Sequence, residues 1–380
     1  MSKRWWTVAA LLMAAQLAAA ESPASARAQA RELLQSIIAF KTEAGRGQVP
    51  VMAEYLAGRF HAGGFPAEDV HIVPVEDTAA LVVRYRGSGQ GGRPILLLAH
   101  MDVVTAKPED WQRDPFHLVE ENGYFYGRGT YDDKGEVALL TATFLRLKAE
   151  NFIPTRDLIL VFSGDEETTF ASTAAVLAKH RDLLGNAEFA LNSDGGGGTL
   201  DDATGRPLYY QVQGAEKSVM SYELTVHNPG GHSSEPRADN AIYELADALK
   251  KVQVYRFPVM WNDWTIGGFK AAAASTPGTL GAAMAKFAAN PGDAEAAAIL
   301  EEGPTMIGRT RTTCIATMLH GGHADNALPQ SATATINCRI FPGVSADEVL
   351  ATLQQVVGKS VEVRKAREWF ASPASPLRKD

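Results

Sequence analysis

His100 and Asp102, Asp132 and Asp133, Glu166 and Glu167, and Asp194 are the residues of this 380-residue chain whose types and spacing could do chemistry. One imidazole among several carboxylates suits zinc or a similar divalent ion. Two such ions sharing a bridging carboxylate can hold a water as hydroxide while polarising a carbonyl. The adjacent pair Glu166-Glu167 fits a division of labour, because neighbouring residues at a strand end need not point the same way. One can coordinate while the other stays free as a general base. Asp102, two residues beyond His100, can accept the second imidazole N–H with its carboxylate and fix the tautomer. Singly, each residue has a structural explanation; at successive strand ends they together make a metal site.

The elements that must position these residues alternate. Apolar residues recur at helical intervals over residues 27–40 and 50–60. Strand-like runs follow at 70–75, 79–86 and 94–99, with a Gly-rich turn at 87–92 and a fully buried look to Ile95-Leu96-Leu97-Leu98. A helix over 134–150, a strand over 157–162, a helix over 172–180 and a strand over 188–192 complete a β-α-β order, hence a mostly parallel sheet. In such sheets ligands bind beyond the carboxyl ends of the strands, where His100, Glu166 and Asp194 fall. Near residue 213 the pattern changes to strands at 218–226, 314–319, 332–340 and 360–363, with helices at 240–252 and 346–356. The Ala-rich stretch 270–298 reads as further helices. The fold class is α/β: a mostly parallel catalytic sheet with helices on both faces, plus a second α+β unit. A hairpin of 314–319 with 332–340 centred on residue 326 sets Cys314 opposite Cys338, so a disulfide is expected there, with two buried thiols as the alternative.

The motifs His100-Met101-Asp102, Gly127-Arg128-Gly129-Thr130-Tyr131-Asp132-Asp133-Lys134-Gly135, Glu166-Glu167, Asp194 and Gly230-Gly231-His232-Ser233-Ser234 resemble the co-catalytic zinc exopeptidase and deacylase family. That family includes aminoacylase, bacterial glutamate carboxypeptidase and succinyl-diaminopimelate desuccinylase. The resemblance implies two zinc ions per subunit: His100 and Asp194 on one, Asp132 bridging, Glu167 on the second, Glu166 as general base and Asp102 orienting His100. It also implies a cis peptide after the bridging Asp132. The second unit would be an inserted lid that forms a homodimer, with His232 reaching the partner's active site to stabilise the tetrahedral intermediate. Asn326 and Arg339 resemble the family's substrate-holding residues, Arg339 being suited to bidentate capture of a carboxylate. The implied domains are a signal peptide at 1–20, a catalytic domain at 21–213, a lid at 214–366 and a return segment at 367–380. The expected substrate is a small peptide or an N-acyl amino acid.

The family's second zinc takes a final His near the C-terminus, whereas the last histidine here is His323. The chain is therefore read as a fragment, a shortened gene product or a non-catalytic descendant that binds or dimerises on the same fold. Residues 1–20 carry Lys3 and Arg4, an apolar stretch and Ala18-Ala19-Ala20, the pattern of a cleaved secretory signal. Periplasmic or secreted localisation follows, with no membrane span after cleavage. A net charge of −8 without a Lys/Arg stripe argues against nucleic-acid binding. No cationic clamp accompanies the carboxylates, which argues against a phosphatase.

Overall fold

The computed structural model describes residues 24–195, 197–201, 203–366 and 373–378. The signal-like segment 1–20 and most of the return segment lie outside these residues. The chain divides into two compact units, one ending at Tyr210 and the other beginning at Gln211.

In the first unit, amphipathic helices α1 (Ala24–Ile38) and α2 (Gln48–Ala62) precede strands β1 (Val70–Val75), β2 (Thr78–Tyr85) and β3 (Ile95–His100). A small hairpin of β4 (Val119–Glu121) and β5 (Tyr124–Tyr126) leads to α3 (Lys134–Ala149), β6 (Leu158–Ser163), α4 (Ala171–Lys179) and β7 (Phe189–Asn192). A second small hairpin, β8 (Gly197–Leu200) with β9 (Pro207–Gln211), closes the unit. The main sheet has the order β1-β2-β6-β3-β7. It is mixed: β3 runs parallel to β6 and β7, while β1–β2 and β2–β6 are antiparallel. Only Glu76 and Asp77 separate β1 from β2, and a two-residue connection can join only antiparallel strands.

Alternation along β2 sends Leu81 and Val83 into a core with α1, α2 and α3. It sends Ala80 and Val82 to the opposite face, against Val176 of α4. Helices therefore cover both faces. The expectation that Ile95–Leu98 is fully buried fails: all four are half-buried. Their neighbour β7 is a four-residue edge strand whose last three residues are exposed, so it shields one flank of β3 poorly.

The second unit holds β10 (Ser218–His227), β11 (Gly231–His232), α5 (Ala241–Val254) and the helices α6 (Asp263–Ala273), α7 (Gly278–Ala289), α8 (Ala294–Glu301) and α9 (Pro304–Thr310). Strands β12 (Thr313–Gly321), β13 (Ala327–Leu328) and β14 (Ser331–Ile340), helix α10 (Ala346–Val357) and β15 (Glu362–Lys365) follow. Its antiparallel sheet has the order β12-β14-β10-β15. Strict alternation on β10 and β14 buries Tyr222, Leu224, Ile336 and Cys338 against α5 and α10. The Ala-rich stretch is helical as expected and makes its own core around Phe269, Met284 and Phe287. Cys314 pairs with Cys338 across β12 and β14, and the two form a disulfide. Ser375 gives its N–H to the Gly214 carbonyl at 2.7 Å and accepts the Trp264 indole N–H at 2.6 Å, so the described end of the chain lies on the second unit. Among the described residues no helix is long and apolar enough to cross a membrane.

Candidate metal centre

Parallel strands present their carboxyl ends along one sheet edge, and the register aligns the chemistry there. His100 pairs with Ser163, and Leu98 pairs with Asn192, two residues before Asp194. Beyond Ser163 the chain turns through Gly164, where an added Cβ would lie 2.3 Å from the Ala79 carbonyl oxygen. The buried Asp165 carboxylate then accepts the N–H groups of Ala171 (2.5 Å) and Ser172 (3.0 Å) and the hydroxyls of Thr169 and Ser172. That carboxylate fixes the turn on which Glu166 and Glu167 sit. Asp132 arrives from another direction, just before α3, through a cis Asp132–Asp133 peptide.

The five expected ligands and base converge. His100 Nε2 lies 2.8 Å from Asp132 Oδ1 and 3.9 Å from Asp194. Two groups can each bring one ligand atom per residue within 4.8 Å of one another: His100, Glu166 and Asp194, and His100, Asp132 and Glu167. Both glutamates thus face the same cluster. One imidazole with four carboxylates fits hard-to-borderline divalent ions. Asp102 serves two neighbours. His100 Nδ1 faces the Asp102 backbone carbonyl at 3.0 Å, with Oδ1 farther at 3.3 Å. The Asp102 carboxylate accepts the backbone N–H groups of Glu166 and Glu167, each at 3.0 Å.

The electrostatics match a cluster built around positive charge. Burial disfavours the His100 imidazolium, yet Asp102, Asp133 and Asp132 outweigh it and push the group up to about 10. Burial drives the Glu166 carboxyl up to about 6; Asp194, Glu167 and Asp102 add to this and His100 opposes it. Asp133 is fully buried, accepts the His100 N–H at 3.1 Å with Oδ2, and leaves Oδ1 without a partner.

Sequence reasoning missed Asp165 and Lys134. Lys134 is fully buried, gives its ammonium to the Phe40 carbonyl at 2.6 Å and feels the charges of Asp102 and Glu43. Gly129, at φ 88°, makes room for its stem, since a Cβ there would sit 3.1 Å from Lys134 Cγ and Cδ. A Lys directly after an acidic pair at a helix start was the available signal for its burial.

In the second unit, β11 and β13 bring His232 and Asn326 together: His232 pairs with Ala327, and Ser233 donates to the Asn326 carbonyl at 3.0 Å. The Ser234 N–H donates to His232 Nδ1 at 3.2 Å, which leaves Nε2 to carry the proton of a neutral ring. Arg339 is elsewhere, exposed on β14 opposite Val219 and Thr313. Beside it stands Lys217, also missed, whose ammonium reaches Thr313 Oγ1 at 3.4 Å. Burial, then the charge of Arg339, lowers Lys217 to about 8.

This fold and this cluster together define an α/β protein with a candidate divalent-metal centre at one sheet edge. The family model described as peptidase family M20/M25/M40 matches residues 96–368, and the chain belongs to that family. It is 31% identical over 308 residues to the human N-fatty-acyl-amino acid synthase/hydrolase PM20D1, covering 77% of this chain and 58% of that one. It is 31% identical over 287 residues to the Dictyostelium discoideum protein named "Probable carboxypeptidase S-like 2", covering 73% and 54%. The chain thus spans little more than half the length of these curated relatives. Among solved structures, the dipeptidase Dug1p of Saccharomyces cerevisiae is similar with a TM-score of 0.62 at 16% identity, covering 93% of this chain and 79% of that one.

Proposed function

We propose that the protein hydrolyses the amide bond of a small peptide or an N-acyl amino acid, as a carboxypeptidase- or dipeptidase-like enzyme or an amidohydrolase. The observation that carries this reading is the convergence of His100, Asp132, Glu166, Glu167 and Asp194 at one sheet edge. His100, Asp132 and Asp194 would hold one zinc ion, and Asp132 with Glu167 a second. Bound ions supply Lewis acidity, activating water and polarising the scissile carbonyl. Glu166 takes the proton of the attacking water and passes it to the leaving nitrogen. Asp102 keeps both glutamates in place through their backbone N–H groups. Arg339 receives the substrate carboxylate, and the Nε2–H of His232 serves the developing oxyanion with Asn326.

The active form in this reading is a homodimer. On β14, Ser331 at the His232 end of the ladder and Arg339 are eight residues apart, roughly 26 Å at about 3.3 Å per residue. One copy of the second unit therefore cannot bring both residues to one small substrate. The outer edge of β12, with Met318 and Leu319 exposed, is available to pair with a second copy. A cystine in the second unit and the signal-like residues 1–20 support export to an oxidising compartment.

Glu166→Gln tests the reading. We expect zinc content unchanged by elemental analysis, with kcat on N-acyl amino acids or dipeptides lowered about 10²–10⁴-fold. Zinc uptake with no turnover by the unsubstituted chain would overturn it, leaving a binding protein on the same fold.

A further inference from the structure

A cavity of about 530 Å³ opens in the second unit between the end of α5, α9 and the start of β12. That volume lies inside the roughly 300–1,000 Å³ range of small-molecule sites. Its floor is apolar and buried, made by Val252, Phe257 and Leu353. Ile307 and the exposed Ile315 form walls. The polar lining is one-sided: Lys250, Arg256 and Arg311 line the cavity, and among the described residues no acidic one does.

These cations have unused capacity. Arg311 is 7% exposed, gives Nη1 to the Phe257 carbonyl at 2.5 Å and Nη2 to Glu301, and leaves Nε without a partner. A buried charged donor left unmade is costly unless a ligand meets it. Among the described residues Lys250 reaches only the side-chain oxygen of Gln253 at 3.3 Å. Among them Arg256 reaches only the backbone carbonyls of Gln253 at 3.1 Å and Tyr255 at 3.4 Å.

We infer that this cavity is a binding site for an aliphatic carboxylate, its chain on the Val252–Phe257–Leu353 floor and its head against Arg256 and Lys250. An apolar body is required by the floor, and a negative head by Lys250 and Arg256, which pair with no carboxylate among the described residues. A cationic amphiphile would bring a fourth positive charge to the lining. The inference stands apart from the hydrolytic reading, because its readout is binding rather than turnover.

Isothermal titration of the full metal-loaded chain with decanoate tests it. Saturable binding of one decanoate per chain is expected, with decylamine and butyrate each weaker by about tenfold or more. The double variant Lys250→Glu/Arg256→Glu should weaken decanoate by at least about tenfold, and Ile307→Trp, which fills the cavity, should abolish it. Circular dichroism and thermal melts establish that both variants fold. Absence of saturable binding overturns the inference, as does equal binding of decylamine. Decanoate binding unchanged in both variants would put the ligand elsewhere and overturn it too. A change of mass by light scattering in Ile307→Trp, without decanoate binding to the parent chain, would make the cavity a contact between copies instead.

Discussion

Asp102 organises the candidate centre from both ends of its residue, its carbonyl beside His100 Nδ1 and its carboxylate under the backbone of Glu166 and Glu167. Asp102→Ala removes a buried charged acceptor from two N–H groups, so a loss of about 3 kcal/mol in urea unfolding is expected. Zinc affinity or turnover should fall about 10–100-fold, as for other groups that position ligands. Asp102→Asn keeps one acceptor oxygen and should fall between; an Ala variant as stable and active as the parent would refute the role. Lys217 carries a pH dependence of its own. Burial and Arg339 hold its ammonium at about 8, so the residue is charged below that pH and neutral above it. If Lys217 and Arg339 together receive the substrate carboxylate, kcat/KM falls as pH rises through about 8, since that ratio reports the free enzyme. Lys217→Met should show low kcat/KM at pH 7 and no inflection near 8. A parent profile already flat from pH 7 to 9 would remove Lys217 from substrate binding.

At the scale of elements, the Cys314–Cys338 bridge closes a 24-residue separation across β12 and β14. Such a loop constrains the unfolded chain by about 3 kcal/mol. Reduction should lower the stability of the second unit by that amount in denaturant titration, and an unchanged midpoint would contradict it. The bridge was readable in advance because two strands flanking one connection impose a register, and the register predicts which side chains meet. The main strands and the metal cluster were legible for a related reason: buried strands are continuous apolar runs, and His100, Glu166 and Asp194 stand just past three of them. The antiparallel hand of β1–β2 was not read, although the three residues between the runs 70–75 and 79–86 are too few for a crossover. What escaped depends on neighbours rather than on local pattern. The half-burial of Ile95–Leu98 reflects the shortness of β7, and the β4–β5 and β8–β9 hairpins are too short to show alternation. Lys134 and Asp165 look like surface residues in sequence; only the packing of the segments around them puts them inside.

For the whole molecule, the proposed dimer has a decisive test in the placing of His232. His232 and Asn326 sit past one end of the β10–β14 ladder and Arg339 near the other, so a site needing all three must draw on two chains. If His232 serves the partner's centre, a chain carrying His232→Ala and a chain carrying Glu166→Gln are each inactive as homodimers for different reasons. In the mixed dimer the chain with intact Glu166 receives the intact His232 of the other, and one competent centre is restored. Co-expression in equal amounts gives half mixed dimers, each with one of two centres working, so about a quarter of the parent activity is expected. Residual activity no higher than either parent variant, with mixed dimers present by light scattering and mass spectrometry, would place His232 at its own chain's centre and defeat the dimeric reading. A monomer by light scattering would defeat it sooner.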